Sequence, residues 1–364
     1  MRIGILEWIC GGGLQVNEPA LVAKSLLNEG QAMLNAVAQD LIGCGHEVTA
    51  NIDARLFDRS QFSEFGSRFH TTYSSGFTKE LPSGWWKIAS EADAALVIAP
   101  ELSGILQTAI SRLAPVCKLL LNCKGEFLAA SCDKWLTAER LRTACVNHPA
   151  TQLACDATES WLQQHRNQSG KWIIKPRDGA GCEAIHLAGE KSVQDALNAI
   201  RPGDSNSRMI IQPLHTGTSF SRSAIVDSAG CPHWLPLVTQ EFTVGDSMTY
   251  CGGRVLSAGN LHFEDTLTGS RYSIERLDEV LNATLGALGQ GALGWVGVDL
   301  VYNDELNDWM VIEINPRLTT SFSGLSMSHG PGLMERMLQA AQGIKVAIDP
   351  TWKTIAFNAA GKPL

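Results

Sequence analysis

Val296–Arg317 reads V-G-V-D-L-V-Y-N-D-E-L-N-D-W-M-V-I-E-I-N-P-R, and the rest of the chain is organised around it. Two apolar, β-branched runs flank the polar turn N-D-E-L-N-D, the pattern of a β-hairpin. Asp299 interrupts the first run. Glu313 and Asn315 interrupt the second at i,i+2 spacing, which aims them at one face of their strand. A single acid in such a strand fits a solvent face as well as a site. The combination of Asp with Glu-x-Asn, closed by Pro316 and Arg317, favours a metal site, because acids in apolar strands are costly to desolvate unless something positive meets them. Hard oxygen ligands around one point suit Mg²⁺, which keeps several waters and shares its shell with nucleotide phosphates.

The chain has 364 residues, more than one compact core normally takes, so two or three subdomains are expected. Apolar residues make up 45% and charged residues 18%, an ordinary globular balance. The net charge of −8 argues against a general nucleic-acid binder, which needs a basic face. Ten cysteines occur with no C-x-x-C pair and no interleaved histidines, so zinc and dithiol motifs are poor readings. The N-terminal M-R-I-G-I-L-E-W is broken as a signal core by Glu7. The long uncharged run from Val280 to Val298 is too rich in glycine and polar residues to span a bilayer, despite its lack of charges. A soluble, cytoplasmic protein with reduced thiols is the expectation.

Taken in order, residues 2–8 form a buried strand ended by Cys10-Gly-Gly-Gly13, which is not the dinucleotide fingerprint G-x-G-x-x-G. A helix over about 29–42, a strand over 46–53, a strand at 94–100, a helix over about 102–113 and a strand at 118–122 continue a β-α-β order. This is an open parallel α/β sheet whose ligands sit at strand C-termini. Glu7 and Glu101 fall at such ends, although lone acids there are more often loop residues. Asp133 sits at a helix start, and Lys134 in its first turn is either solvated or part of an anion site. In K-W-I-I-K-P-R-D-G-A-G-C, Lys175 ends an apolar strand, and Gly179 and Gly181 mark a hairpin tip that can lay N–H groups over phosphates. The segment M-I-I-Q-P-L-H at 209–215 reads as an edge strand because of Pro213, able to present backbone groups to an adenine. Strands at 222–227 and 233–239 follow, then a loop at 250–254 and a turn-rich region with His262, Glu264 and Asp265. A helix over 192–200 with the capping box S-V-Q-D, a helix over 273–288, a polar loop after Arg317 and a closing helix marked by Met334, Met337 and Leu338 complete the expectations.

In this order, D-K at 133–134, I-K-P at 174–176 with its glycine loop, I-I-Q-P-L-H-T-G at 210–217, V-D at 298–299 and E-I-N-P-R at 313–317 resemble the ATP-grasp superfamily of carboxylate–amine ligases. Within it, I-L-E-W at 5–8, E-G-Q-A-M-L at 29–34, I-A-P-E at 98–101 and E-I-N-P-R-L-T-T-S at 313–321 look like the tyramine–glutamate ligase group of methanofuran-type cofactor synthesis. The resemblance implies an N-terminal open parallel α/β (pre-ATP-grasp) domain at 1–125. A two-lobed ATP-grasp fold, mixing α/β and α+β, follows: a small lobe with a glycine-rich lid hairpin at 126–215 and a large lobe at 216–364. It implies ATP and Mg²⁺, with Mn²⁺ as a substitute, and small-molecule carboxylate and amine substrates, with no nucleic-acid or membrane partner. Homodimers are common among such ligases.

Carried over residue by residue, Lys134 and Lys175 contact nucleotide phosphates. Gln212, Pro213, Leu214 and His215 hold the adenine, and Asp299, Glu313 and Asn315 bind the metal. Arg317 faces the transferred phosphoryl group and, with Lys175, carries the chemistry, while Glu7, Glu101 and Ser321 fall to the substrates. This chain departs from the pattern at Ser219, where many members have a ribose-binding acid, at Gly297, where dipeptide-forming ligases have Arg, and at Cys182, where Gly is common. The implied reaction makes an amide through an acyl phosphate. The alternatives are another amino-acid or peptide substrate pair, or a nucleotide-binding protein without turnover.

Overall fold

In the computed structural model, the chain is described except for residues 15–21, 23, 74–75, 180–184, 190–192, 195–196, 198–207, 245–247, 257–261, 265–270, 304–305 and 349–351. Strands β1 (Arg2–Glu7), β2 (Glu47–Ile52), β3 (Phe69–Tyr73) and β4 (Ala94–Ile98) form an all-parallel sheet in the order β3-β2-β1-β4. Ile3 and Ile5 pack on helix α1 (Lys24–Gly43), through Leu34, Val37 and Leu41. Leu6 and Val97 face helices α2 (Ser83–Glu91) and α3 (Ile105–Leu113), through Trp85, Ile88 and Ile110. Both faces are thus covered, which explains the continuous apolar runs of these strands.

The expected strand at 118–122 shrinks to a single parallel bridge between Ala95 and Leu120. Asn122 then takes over the ladder with its side chain. Its Nδ2 donates to the Val97 carbonyl and its Oδ1 accepts from Val97 N–H, both at 2.9 Å. A side-chain amide has here replaced one step of backbone pairing.

Helix α4 (Lys134–Thr143), capped by Asp133, precedes a second sheet ordered β5 (Gln152–Leu153), β8 (Met209–Pro213), β6 (Lys171–Pro176), β7 (His186–Gly189). The strand at 209–213 is therefore not an edge, contrary to the expectation drawn from Pro213. The short β5 covers only Ile210 and Ile211, so it stops before Gln212 and Pro213, which pair with β6 alone. The glycine hairpin joins β6 to β7; Gly179 is described, whereas Gly181 and Cys182 lie outside the described residues, as does most of the expected helix at 192–200.

The third sheet runs β13-β12-β9-β10-β11-β14, antiparallel throughout, with β9 Thr218–Val226, β10 Pro232–Val244, β11 Met248–Val255, β12 Gly294–Asn303, β13 Asp308–Asn315 and β14 Ile355–Asn358. The expected loop at 250–254 is part of β11. Its glycines serve close strand approach: a Cβ at Gly253 would lie 2.0 Å from the Thr239 carbonyl oxygen, and one at Gly252 (φ +132°) 2.1 Å from that of Phe357. Residues 262–264 form a two-stranded ladder with 271–273, and Asp265 lies outside the described residues. Helix α5 (Ile274–Ala287) follows as expected.

The expected polar loop after Arg317 is overturned as well, because helix α6 (Ser321–His329) begins there. Leu318, Phe322 and Leu325 are buried at helical spacing among hydroxyl residues that masked the period. Helix α7 (Leu333–Ala341) buries Met334, Met337 and Leu338. Its first turn is held by Asp40 of α1, which accepts from the N–H groups of Gly332, Leu333 and Met334. That contact fastens the N-terminal layer to the C-terminal helices. Cysteines among the described residues are free thiols, and no described helix is long and apolar enough to cross a membrane.

Candidate active site

Pairing of β12 with β13 sets Asp299 directly opposite Glu313, with a bulge immediately after. Leu300 pairs with Val311, so Ile312 is the extra residue, and both Ile312 and Glu313 line the same cleft. Asn315 donates through Nδ2 to Asp299 Oδ2 at 3.0 Å, and Gln240 of β10 donates through Nε2 to Oδ1 at 3.0 Å. Asp299 thus receives neutral donors and a like-charged neighbour. Burial, followed by the charge of Glu313, pushes its carboxyl up to about 6, against hydrogen bonds from Ser221, Asn315 and Gln240.

Glu313 has the opposite balance. Burial disfavours its charge, yet the charges of Lys134 and Lys175 hold it below the usual range. Lys134 Nζ lies 3.0 Å from Glu313 Oε1 and donates to the Gly179 carbonyl at 2.8 Å, so one ammonium joins the metal-side acid to the base of the glycine hairpin. The hairpin base is tied down twice more. Arg177 makes a bidentate pair with Asp133, and its carbonyl accepts from Lys134 N–H at 2.8 Å. Asp178 accepts from Ser103 N–H at 2.7 Å, reaching the loop that follows β4.

One cleft collects Lys134, Lys175, Gln212, His215, Asp299 and Glu313. Gly179, Pro213 and Leu214 also line it, and Ile173, Phe242 and Met248 add apolar wall. Asn303 Nδ2 contacts His215 Nδ1 at 3.2 Å and orients the ring.

Arg317, expected to face the transferred phosphoryl group, has a partner of its own. Its guanidinium is buried in a bidentate pair with Glu101, at 2.9 and 3.1 Å. Glu101 is therefore an ion-pair partner joining the parallel sheet to the E-I-N-P-R segment. Ser321 is buried, with its Oγ 2.7 Å from Thr319 Oγ1 and 3.4 Å from Ser223 Oγ, outside the cleft lining. Glu7 is buried at the end of β1 and accepts from Cys10 N–H at 2.6 Å; burial pushes its carboxyl up to about 7. Sequence reading missed Gln240 and Arg177. A lone glutamine in a strand gives no signal, but a cation directly after K-P and a capping aspartate were a pair to look for.

The donor set fits a hard cation. Two carboxylates face each other, one of them without a cation in contact, and Asn315 commits its N–H₂ to Asp299, leaving its carbonyl oxygen as the remaining ligand atom. Among the described residues no group of three or more acid, histidine or cysteine side chains gathers.

Residues 131–321 match the family model described as ATP-grasp domain, more than half of the chain. The chain belongs to the ATP-grasp family. Residues 46–126 match the pre ATP-grasp 3 domain. This ATP-grasp chain has an ATP-grasp fold with a pre-ATP-grasp domain, and it is an ATP-dependent carbon–nitrogen ligase. ATP-grasp enzymes use ATP and divalent metal ions. Tyramine–L-glutamate ligase of Methanocaldococcus fervens is 28% identical over 270 residues, spanning 73% of this chain and 72% of that protein. The crystal structure of an ATP-grasp superfamily protein from Archaeoglobus fulgidus superposes with a TM-score of 0.63 at 23% identity, covering 98% of this chain and 99% of the other. N5-carboxyaminoimidazole ribonucleotide synthetase from Thermus thermophilus gives a TM-score of 0.64 at 16% identity, covering 97% and 82%.

Proposed function

We propose that this ligase joins the carboxylate of glutamate to an amine in the cleft between the second and third sheets, as a step in cofactor biosynthesis. The carboxylate attacks the γ-phosphorus of ATP, giving an acyl phosphate and ADP. The amine nitrogen then attacks the acyl carbon, phosphate leaves, and the nitrogen gives up a proton as the amide forms. The observation that carries the reading is the facing pair Asp299 and Glu313 with Lys134 and Lys175 around one cleft. The similarity to tyramine–L-glutamate ligase is the reason for reading the carboxylate as that of glutamate.

In this reading Asp299, Glu313 and the Asn315 carbonyl hold Mg²⁺ or Mn²⁺, which when bound neutralises phosphate charge. Lys134 and Lys175 add fixed positive charge where the phosphoryl group moves. Gln212 and the backbone from Pro213 to His215 receive the base. Arg317, locked to Glu101, supplies a buried positive charge next to the metal-side acids and orients the loop that follows β4. The glycine hairpin covers the acyl phosphate against water, held at its base by Lys134 and Arg177. The division at 1–125, 126–215 and 216–364 belongs to the same reading.

The test is ADP release with Mg-ATP, glutamate and a panel of amines, followed by product mass. The expected result is one glutamyl amide per ADP with one member of the panel. ADP formation without any amide across glutamate, other amino acids and the amine panel would overturn the ligation reading.

A further inference from the structure

Gln212 is 5% exposed, and its amide is held one way round. Because β8 and β5 are antiparallel, with Ile211 opposite Gln152, Gln212 and Thr151 become neighbours. Gln212 Nε2 donates to Thr151 Oγ1 at 2.8 Å, and Thr151 Oγ1 donates to the Pro149 carbonyl at 2.8 Å. A hydroxyl has one proton. Once that proton is committed to the Pro149 carbonyl, Thr151 meets Gln212 only as an acceptor, so the amide nitrogen must face it. Gln212 Oε1 is turned away from Thr151. It accepts no hydrogen bond among the described residues, and it is not fully sealed from solvent. Gln212 is among the residues that line the cleft, together with Lys175 and His215.

The carbonyl oxygen of a nearly buried side chain, with no donor among the described residues, asks for a donor from a ligand. We propose that Thr151 is a positioning residue. The relay from Gln212 through Thr151 to the Pro149 carbonyl presents Gln212 Oε1 to the 6-amino group of a purine and so selects adenine over 6-oxo purine nucleotides. The proposal rests on the cleft being the nucleotide site. A 6-oxo purine puts oxygen against oxygen. Without the Thr151 hydroxyl the amide is free to turn and offer its N–H₂ instead, and the selection is lost.

The experiment measures ADP and IDP affinities by titration calorimetry in the presence of Mg²⁺, on the full chain and on Thr151→Ser and Thr151→Val. Thermal melting of each shows that it is folded. The wild type is expected to favour ADP by about tenfold or more, the factor attached to one hydrogen bond made or refused. Thr151→Ser keeps the ratio. Thr151→Val brings it to within about threefold of unity, chiefly through tighter IDP binding. Should Val disturb packing, Thr151→Ala removes the same hydroxyl with less bulk and gives the same loss. An unchanged ADP:IDP ratio in a folded Thr151→Val or Thr151→Ala chain overturns the relay, as does a wild type that binds both equally. A wild type that binds neither nucleotide overturns the nucleotide reading itself.

Discussion

Glu313→Gln separates the charge of the site from its shape. The amide is nearly isosteric, and its carbonyl oxygen still accepts from Lys134, now 3.0 Å from Glu313 Oε1. What disappears is one negative charge that faces Asp299 across the strand pair but is held below the usual carboxylate range by Lys134 and Lys175. A lowered value means that the folded state favours the charge, so the attraction lost outweighs the repulsion relieved. In the absence of a divalent cation the variant is therefore expected to melt somewhat lower than the wild type. Turnover falls much further. A metal ligand and its charge stabilise the moving phosphoryl group, and losing one such stabiliser costs about 2.7–4 kcal/mol, or two to three powers of ten in kcat. The assay is ADP release under saturating Mg-ATP and substrates, alongside a thermal melt with and without Mg²⁺. The signature is a loss of kcat together with a loss of the metal response: Mg²⁺ raises the melting temperature of the wild type and not that of the variant. A kcat within about fivefold of wild type, or a variant that Mg²⁺ stabilises as much as the wild type, refutes the assignment of Glu313 to the metal.

Three further outcomes follow from the same geometry. Lys175→Ala is expected to lower kcat by about two powers of ten through loss of a charge stabiliser, read in the same assay, and to lower the melting temperature as well, because the side chain is buried and its charge helps to hold Glu313 ionised. Glu7, raised from 4.5 to about 7, keeps its proton in the native state after the unfolded chain has lost it. Stability therefore falls as pH rises from 4.5 to 7, by about 3 kcal/mol, and Glu7→Gln flattens that slope in urea unfolding at pH 5 and pH 8. Glu101→Gln, which strands the buried Arg317 guanidinium, costs about 3–5 kcal/mol in denaturant unfolding, whereas the double change Glu101→Leu with Arg317→Met costs far less.

The hairpin at 296–317 was legible because its acids break apolar runs that otherwise have no reason to carry charge, and the parallel sheet was legible because both its faces are buried. The bulge at Ile312 was not. Period-two alternation sends Ile312 and Glu313 to opposite faces, and only the register with β12 brings both into the cleft. Asn122 hid for a similar reason, since a side chain that mimics a ladder step leaves no strand period beyond it. Helix α6 was masked by T-T-S-F-S, whose hydroxyls read as a loop while Leu318, Phe322 and Leu325 carry the buried face. Arg317 was read from its place beside the metal residues, and its partner in the loop after β4, more than two hundred positions earlier, is a fact of tertiary structure alone.

That partnership bears on why an N-terminal sheet accompanies the nucleotide lobes. A buried ion pair is a weak stabiliser, because desolvating two charges offsets most of their attraction. The Glu101–Arg317 pair does something an apolar contact cannot: it accepts only one orientation, since Nε and Nη2 of the guanidinium must each meet one carboxylate oxygen. Arg317 stands two residues beyond Asn315, and Glu101 opens the loop whose Ser103 N–H holds Asp178 at the hairpin base. The parallel sheet thus grips the metal-side strand and the glycine hairpin at once, through two polar contacts made by near neighbours in one loop. Displacement of that loop is bound to move both walls of the cleft together.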